Sequence, residues 1–373
     1  MTRFWLGGYG PAMDGSADGV GLLAGDESAP TALEYRGAVT QTSSPSWLAQ
    51  HPSLDVVYAA LEADAGVQAF ARSGESTLRP LGAPVAAGDG VCHVAVSSSG
   101  SFLIASCYGD GRVVRIGIDA QGQLVPDAVN KAAELRAALL GEPIEETAPA
   151  GVAAAASDPY SGALTATGEA RSSHAHSAAF LADGRIATTD LGFDLVRIWR
   201  ASAGSATHGL TLDHEVVLPV GTGPRHMVVH PSGHLHVVTE YSCEVFTLAA
   251  GREGTWAVVS SVLTSPIAEI GVDFPAELAR TRDARFLYTA LRGSNTIAAL
   301  RVRGGGEALE SIALADSGVD WPRHHLVHEG KLLVAGQRSD TVSLIDLDER
   351  TGAPLDVRHI AQAPAPTHIL PVR

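Results

Sequence analysis

The chain has 373 residues, 45% of them hydrophobic and 18% charged, with 40 Gly and 20 Pro. That composition is too apolar for a disordered chain and too rich in turn residues for a helical one. A formal net charge of −15 argues against nucleic acid or an anionic membrane as the main partner, and no apolar run approaches the about 20 residues of a spanning helix.

The opening segment, Met1-Thr-Arg-Phe-Trp-Leu-Gly-Gly-Tyr, lacks a basic stretch followed by an apolar one, so no signal peptide is expected. The three cysteines, Cys92, Cys107 and Cys243, show no C-x-x-C spacing. A disulfide framework or zinc site is not expected, and a reducing cytoplasm is the expected location. Short strands are predicted over Phe4 to Tyr9 and Gly19 to Leu23, with no matching strand before them.

From Pro45 onward one unit returns, beginning at Pro45, Val91, Ala175, Pro224, Pro275, Pro322 and Pro366. Neighbouring starts lie 44 to 51 residues apart, except for the 84 residues from Val91 to Ala175. Each full unit reads as a short apolar strand, a turn, a second apolar strand, a polar break and a third strand. Gly100, Gly184 and Gly233 fall at the same turn position, where glycine supplies positive φ without steric cost. Third strands follow at Val113-Val-Arg-Ile, Leu195-Val-Arg-Ile-Trp, Thr296-Ile-Ala-Ala-Leu and Thr341-Val-Ser-Leu-Ile.

Several short strands per period of about 40–50 residues predict an all-β propeller of seven blades. The last start has room for one strand only, so the two ends are expected to complete one blade together and close the ring. The reading is one domain over residues 1–373, with an insertion at about 121–173. A short helix is predicted from Asn130 to Leu140, then an Ala/Gly/Ser/Thr-rich surface loop that is either a lid or a bland excursion.

In a hairpin the start of the first strand lies beside the end of the second. Residues at those places in every unit therefore share one face of the disc, around the mouth of the central channel. One and two residues after each start come Cys92-His93, His176-Ser177, Arg225-His226, Ala276-Glu277, Arg323-His324 and Thr367-His368. At the second-strand ends come Glu62, Tyr108, Glu240, Tyr241, Arg292, Gln337 and Arg338, and His174 directly precedes its own unit. An acidic chain thus gathers Arg and His at one mouth, which is costly unless an anion or an acidic side chain pairs with them. The alternative is that these groups bond to carbonyls between blades and plug the channel. Trp47, Tyr9 and Tyr58 read as packing residues, and His234 and His236 as outer-strand residues.

At Gly221-Thr-Gly-Pro-Arg-His and Asp190-Leu-Gly-Phe-Asp-Leu-Val-Arg-Ile the chain resembles the lactonase family of seven-bladed propellers, which includes 6-phosphogluconolactonases of the cycloisomerase type and carboxymuconate lactonizing enzymes. Val91-Cys-His, Cys107-Tyr-Gly-Asp-Gly-Arg-Val, His174-Ala-His, Thr239-Glu-Tyr, Leu291-Arg-Gly-Ser-Asn-Thr-Ile, Trp321-Pro-Arg and Gly336-Gln-Arg-Ser-Asp-Thr-Val extend the likeness over nearly the whole chain. The resemblance implies a metal-free active site at the mouth, with catalytic roles on His174 or His176, Arg225, Glu240 and Arg292. His93, Tyr108, His226, Arg323 and Gln337 are the expected substrate-binding neighbours. The chain departs from the family pattern at Val91, at Leu61-Glu62 and at Arg171-Ser-Ser, all bordering the pocket.

Three functions follow as expectations. The first is hydrolysis of an anionic, sugar-acid type lactone, with water activated by His or Glu. The second is a cycloisomerase that adds carboxylate across a carbon–carbon double bond. The third is a non-catalytic scaffold, which has no need for His174, His176, Arg225, Glu240 and Arg292 to converge. No cofactor is expected, and no metal, because nearby Arg residues repel a cation. A small lactone or carboxylate is the expected partner, and a monomer the expected state.

Overall fold

The computed structural model describes residues 2–25, 32–125, 157–160, 162–165, 168–201 and 209–373. The expected 130–140 helix and much of the 121–173 insertion lie outside them. Seven antiparallel sheets stand around one axis, six of four strands and one of five. Their innermost strands are Pro45–Gln50, Val91–Val96, Ala175–Phe180, Pro224–Val229, Phe274–Arg280, Pro322–His328 and Pro366–Pro371. Six begin at the expected residue and the fifth one residue early. We number the blades one to seven in that order.

The strand from Pro366 to Pro371 pairs with the N-terminal strand Arg3–Gly8, with Phe4 opposite Pro371 and Leu6 opposite Ile369. The two ends therefore build blade seven together and close the ring. The only helical elements among the described residues are two 3₁₀ turns, Pro11–Met13 and Glu62–Asp64.

Packing follows from position in the blade. Second strands lie between neighbouring sheets and are apolar on both faces: Val56–Leu61 and Phe286–Arg292 are buried at every residue. Outermost strands have one wet face, so Leu33–Gln41 and Pro354–Gln362 alternate. The core is accordingly not one mass but seven clusters, one at each blade junction. This is how a repeat protein buries surface: each unit completes its neighbour's core. Tyr58 and Tyr288, at equivalent places in blades one and five, tie their hydroxyls to Gly122 and Gly352 carbonyls of the following blades, both at 2.9 Å.

One feature recurs in all seven blades. Each innermost strand slips register against its second strand within the first residues, as where Pro224 faces Thr239 but His226 faces Val238. Such a bulge places an extra residue in the strand and re-aims its side chain. Ser46, Cys92, His176, Arg225, Arg323 and Thr367, one residue after the start, line a cavity at the mouth. The residues two after the start turn inward and fill the channel below.

Candidate active site

The channel is closed by aromatic and imidazole rings. Trp47 lies on its path, 4.5 Å from the His93 ring, 4.0 Å from His368, 5.0 Å from His226 and 5.4 Å from His324. Glu277 completes the plug, its carboxylate 2.8 Å from His226 Nδ1. Burial, reinforced by neighbouring positive groups, pushes His93, His226, His324 and His368 well below the usual imidazole range. The rings are held neutral. His93 and His226, expected as substrate-binding residues at the mouth, thus belong to the plug, although His226 also borders the mouth cavity. The physical reason is the bulge: a regular strand would aim only one of two adjacent residues at the axis, whereas here both reach it, the first at the mouth and the second in the plug. Trp47 is indeed a packing residue, with a specific post on the axis.

Above the plug, the expected cationic residues do converge. Glu240 Oε2 lies 2.9 Å from Arg225 Nε and 2.7 Å from Arg292 Nη2, so one carboxylate serves two guanidinium groups from adjacent blades. Burial alone raises the Glu240 carboxyl, but Arg292 and Arg225 outweigh it and hold it below the usual carboxylate range. Burial, with Arg292 beside it, brings Arg225 down to about 10, still charged at neutral pH. Arg292 Nε also donates to the Phe274 carbonyl at 3.0 Å, which fixes its plane. Arg323 makes no ion pair among the described residues. It stacks over Tyr9 at 4.8 Å and donates from Nη1 to Gln337 Oε1 at 3.3 Å. Tyr9 in turn donates to Glu62 at 3.0 Å.

The two histidines at the start of blade three sit differently. His176 is buried, its Nδ1 has no hydrogen-bond partner among the described residues, and burial followed by the Arg225 charge keeps it well below the usual range. His174 is half-buried and stacks on Tyr108, with ring centres 4.4 Å apart and planes 17° apart. Its Nδ1 lies 2.6 Å from the Tyr108 carbonyl oxygen, which can only accept. In the neutral ring Nδ1 therefore carries the proton, and the Nε2 lone pair faces the Ser172 hydroxyl at 3.0 Å.

Two carboxylates that the sequence reading did not single out hold this arrangement. Asp190, fully buried, accepts from the backbone N–H groups of His174, Gly192 and Phe193 at 2.9 to 3.1 Å and pairs with Arg197. Asp194 accepts from Gly221 and Gly223 N–H at 2.8 and 2.7 Å and from Arg171 at 2.7 Å, which fixes the loop leading into Arg225. Both lie in the quoted Asp190-Leu-Gly-Phe-Asp motif, the one signal that could have found them. A Cβ on Gly192 would collide with the Ser172 carbonyl oxygen, so only glycine lets the His174 segment lie this close.

The mouth cavity itself encloses about 10 Å³, room for about one water. Near it opens a separate cleft of about 520 Å³, lined among others by Ser172, His174, Tyr241 and Phe274, the last of which accepts from Arg292 through its carbonyl. Among the described residues no group of His, Cys, Asp and Glu is arranged to hold a metal ion.

Comparisons with known proteins agree with this architecture. The family model described as a lactonase with a seven-bladed β-propeller matches residues 3–371. The chain is 25% identical over 365 residues to 6-phosphogluconolactonase of Bacillus subtilis, covering 94% of this chain and 93% of that protein. It is 28% identical over 311 residues to an uncharacterized protein of Lactococcus lactis subsp. lactis, 82% of each. The solved periplasmic gluconolactonase of Pseudomonas aeruginosa superposes with a TM-score of 0.84 at 20% identity, over 100% of this chain and 99% of that one, which shows a shared fold. With the family model spanning nearly its whole length, the chain belongs to the lactonase family of seven-bladed β-propellers.

Proposed function

We propose that this lactonase hydrolyses a lactone bearing a carboxylate or phosphate, with the anion docked over the mouth and the ring carbonyl beside His174. The observation that carries the reading is a surplus of fixed positive charge. Arg225, Arg292 and Arg323 stand together in a chain of net charge −15, and a single carboxylate, Glu240, contacts two of them. Guanidinium groups suit this task because they stay charged and match carboxylate geometry.

In this reading the Nε2 of His174 takes a proton from water as the water oxygen adds to the lactone carbonyl carbon. Arg292 and Arg225 meet the developing oxyanion. The ring C–O bond then breaks, and the departing oxygen takes the proton back from the imidazolium. Glu240, held ionised between two cations, is a poor base and serves to fix the guanidinium groups. His176, buried and neutral, lines the mouth cavity beside Arg225, and Tyr108 and Gln337 hold His174 and Arg323 in place.

The substrate is the only partner in this reading, and the protein acts as a monomer. Three free, buried cysteines fit a reducing compartment, the cytoplasm. No helix among the described residues is long and apolar enough to cross a membrane.

Acid release from a panel of carboxylated and phosphorylated lactones tests the proposal. Turnover is expected to fall about 10²–10⁴-fold in His174→Ala. No turnover above the spontaneous rate by the folded protein would overturn it. Deuterium appearing on carbon in D₂O would instead mark addition to a double bond.

A further inference from the structure

The cleft beside the mouth says what kind of lactone this is. The cavity among the mouth residues has room for about one water, so the body of a substrate whose carbonyl meets His174 has to lie elsewhere. The nearby cleft, at about 520 Å³, is the size of a small-molecule site; His174 lines it, and so does Phe274, whose carbonyl accepts from Arg292 of the rim. Its open wall is apolar. Leu164 is 59% exposed, Val220 53% and Ile270 67%, with Phe274 behind them. Large apolar side chains gathered around one concave surface mark a binding site more than scattered surface residues do.

The charged groups of this cleft do not suit a sugar acid. Arg171 is committed to Asp194 at 2.7 Å and to Asp158 at 3.4 Å. Asp194 is saturated by the loop it anchors. Ring hydroxyls brought against Leu164, Val220 and Ile270 would lose water without gaining partners.

We infer that the substrate is an amphipathic lactone: an anionic group at the Arg225–Arg292–Arg323 rim, and an alkyl or aryl substituent in the cleft lined by Leu164, Val220, Ile270 and Phe274. The inference rests on the lactone reading above and narrows it, away from polyhydroxylated sugar lactones. Selectivity follows from differential burial, since each added methylene in such a cleft raises kcat/KM several-fold.

The test is a series of carboxylated γ-lactones of one ring, bearing hydrogen, butyl, phenyl or a trihydroxybutyl chain. Between hydrogen and butyl or phenyl, kcat/KM is expected to rise at least about tenfold, with no gain for the trihydroxybutyl member. In Ile270→Asp and Val220→Asp, both at exposed positions, the butyl-to-hydrogen ratio is expected to fall toward one. Equal kcat/KM across the series, or a preference for the trihydroxybutyl member, overturns the inference and leaves the lactonase reading standing. No turnover of any member overturns the inference, and no turnover of the phosphorylated lactones either overturns the lactonase reading with it. Self-association in sedimentation that Ile270→Asp abolishes would make this face a contact between copies, and would also overturn the inference.

Discussion

The Glu240 carboxylate carries more than one ordinary ion pair, because it neutralises two guanidinium groups that burial forces together. Removing it leaves Arg225 and Arg292 side by side with no counter-ion. Glu240→Gln is therefore expected to destabilise the fold by about 3–5 kcal/mol, read from urea denaturation. Arg292→Ala removes a group aimed at the reacting oxygen, and kcat/KM for an anionic lactone is expected to drop about 10²–10³-fold. The pH profile tests His176 as the base. A base at His176, whose proton affinity burial and Arg225 depress, would stay deprotonated well below pH 6.5, so kcat/KM would remain flat from pH 8 to 6. An acid limb near pH 6.5 would exclude His176 as the base.

The elements that place these residues were largely legible in the sequence, and the reason is the repeat. Turn glycines and apolar runs recur because every blade solves the same packing problem, so the starts at Pro45, Val91, Ala175, Pro224, Pro322 and Pro366 coincide with observed strand starts. Hairpin pairing then put Arg225, Glu240 and Arg292 on one face. What pairing alone could not give is the bulge. No residue pattern marks it, since the bulged position holds Ser46, Cys92, His176, Arg225, Ala276, Arg323 and Thr367 in turn. For that reason His93 and His226 looked equivalent to Arg225 although they face down the channel. The supports were illegible for another reason: Asp190 and Asp194 act through backbone N–H groups, whose partners depend on loop geometry. Asp194→Ala tests that support. It frees the Gly221–Gly223 loop and leaves Arg171 with the more distant Asp158, and a loss of about 3–5 kcal/mol is expected in denaturant titration.

At the scale of the whole ring, the imidazole plug makes stability depend on pH. His93, His226, His324 and His368 are held neutral in the fold but titrate near 6.5 once unfolded. Above pH 6.5 neither state is protonated and nothing is lost. As pH falls through 6.5 the unfolded chain takes up protons that the fold refuses, and stability drops by about 1.4 kcal/mol per pH unit for each histidine. Glu277, whose carboxyl burial raises, acts in the opposite sense and softens the slope. The unfolding midpoint in urea is expected to hold between pH 8 and 7 and to fall steeply from 6.5 to 5, an outcome that a flat profile would refute.

The seven bulges give this arrangement a further property. A regular strand would offer the axis every second side chain, and a change for catalysis would disturb the residue that closes the channel. Here blades four and six each contribute two consecutive residues with separate duties, Arg225 above and His226 below, or Arg323 above and His324 below. The upper tier can be rewritten blade by blade while the lower tier keeps the ring shut. A family built this way can diverge in what it accepts without having to reinvent how it folds.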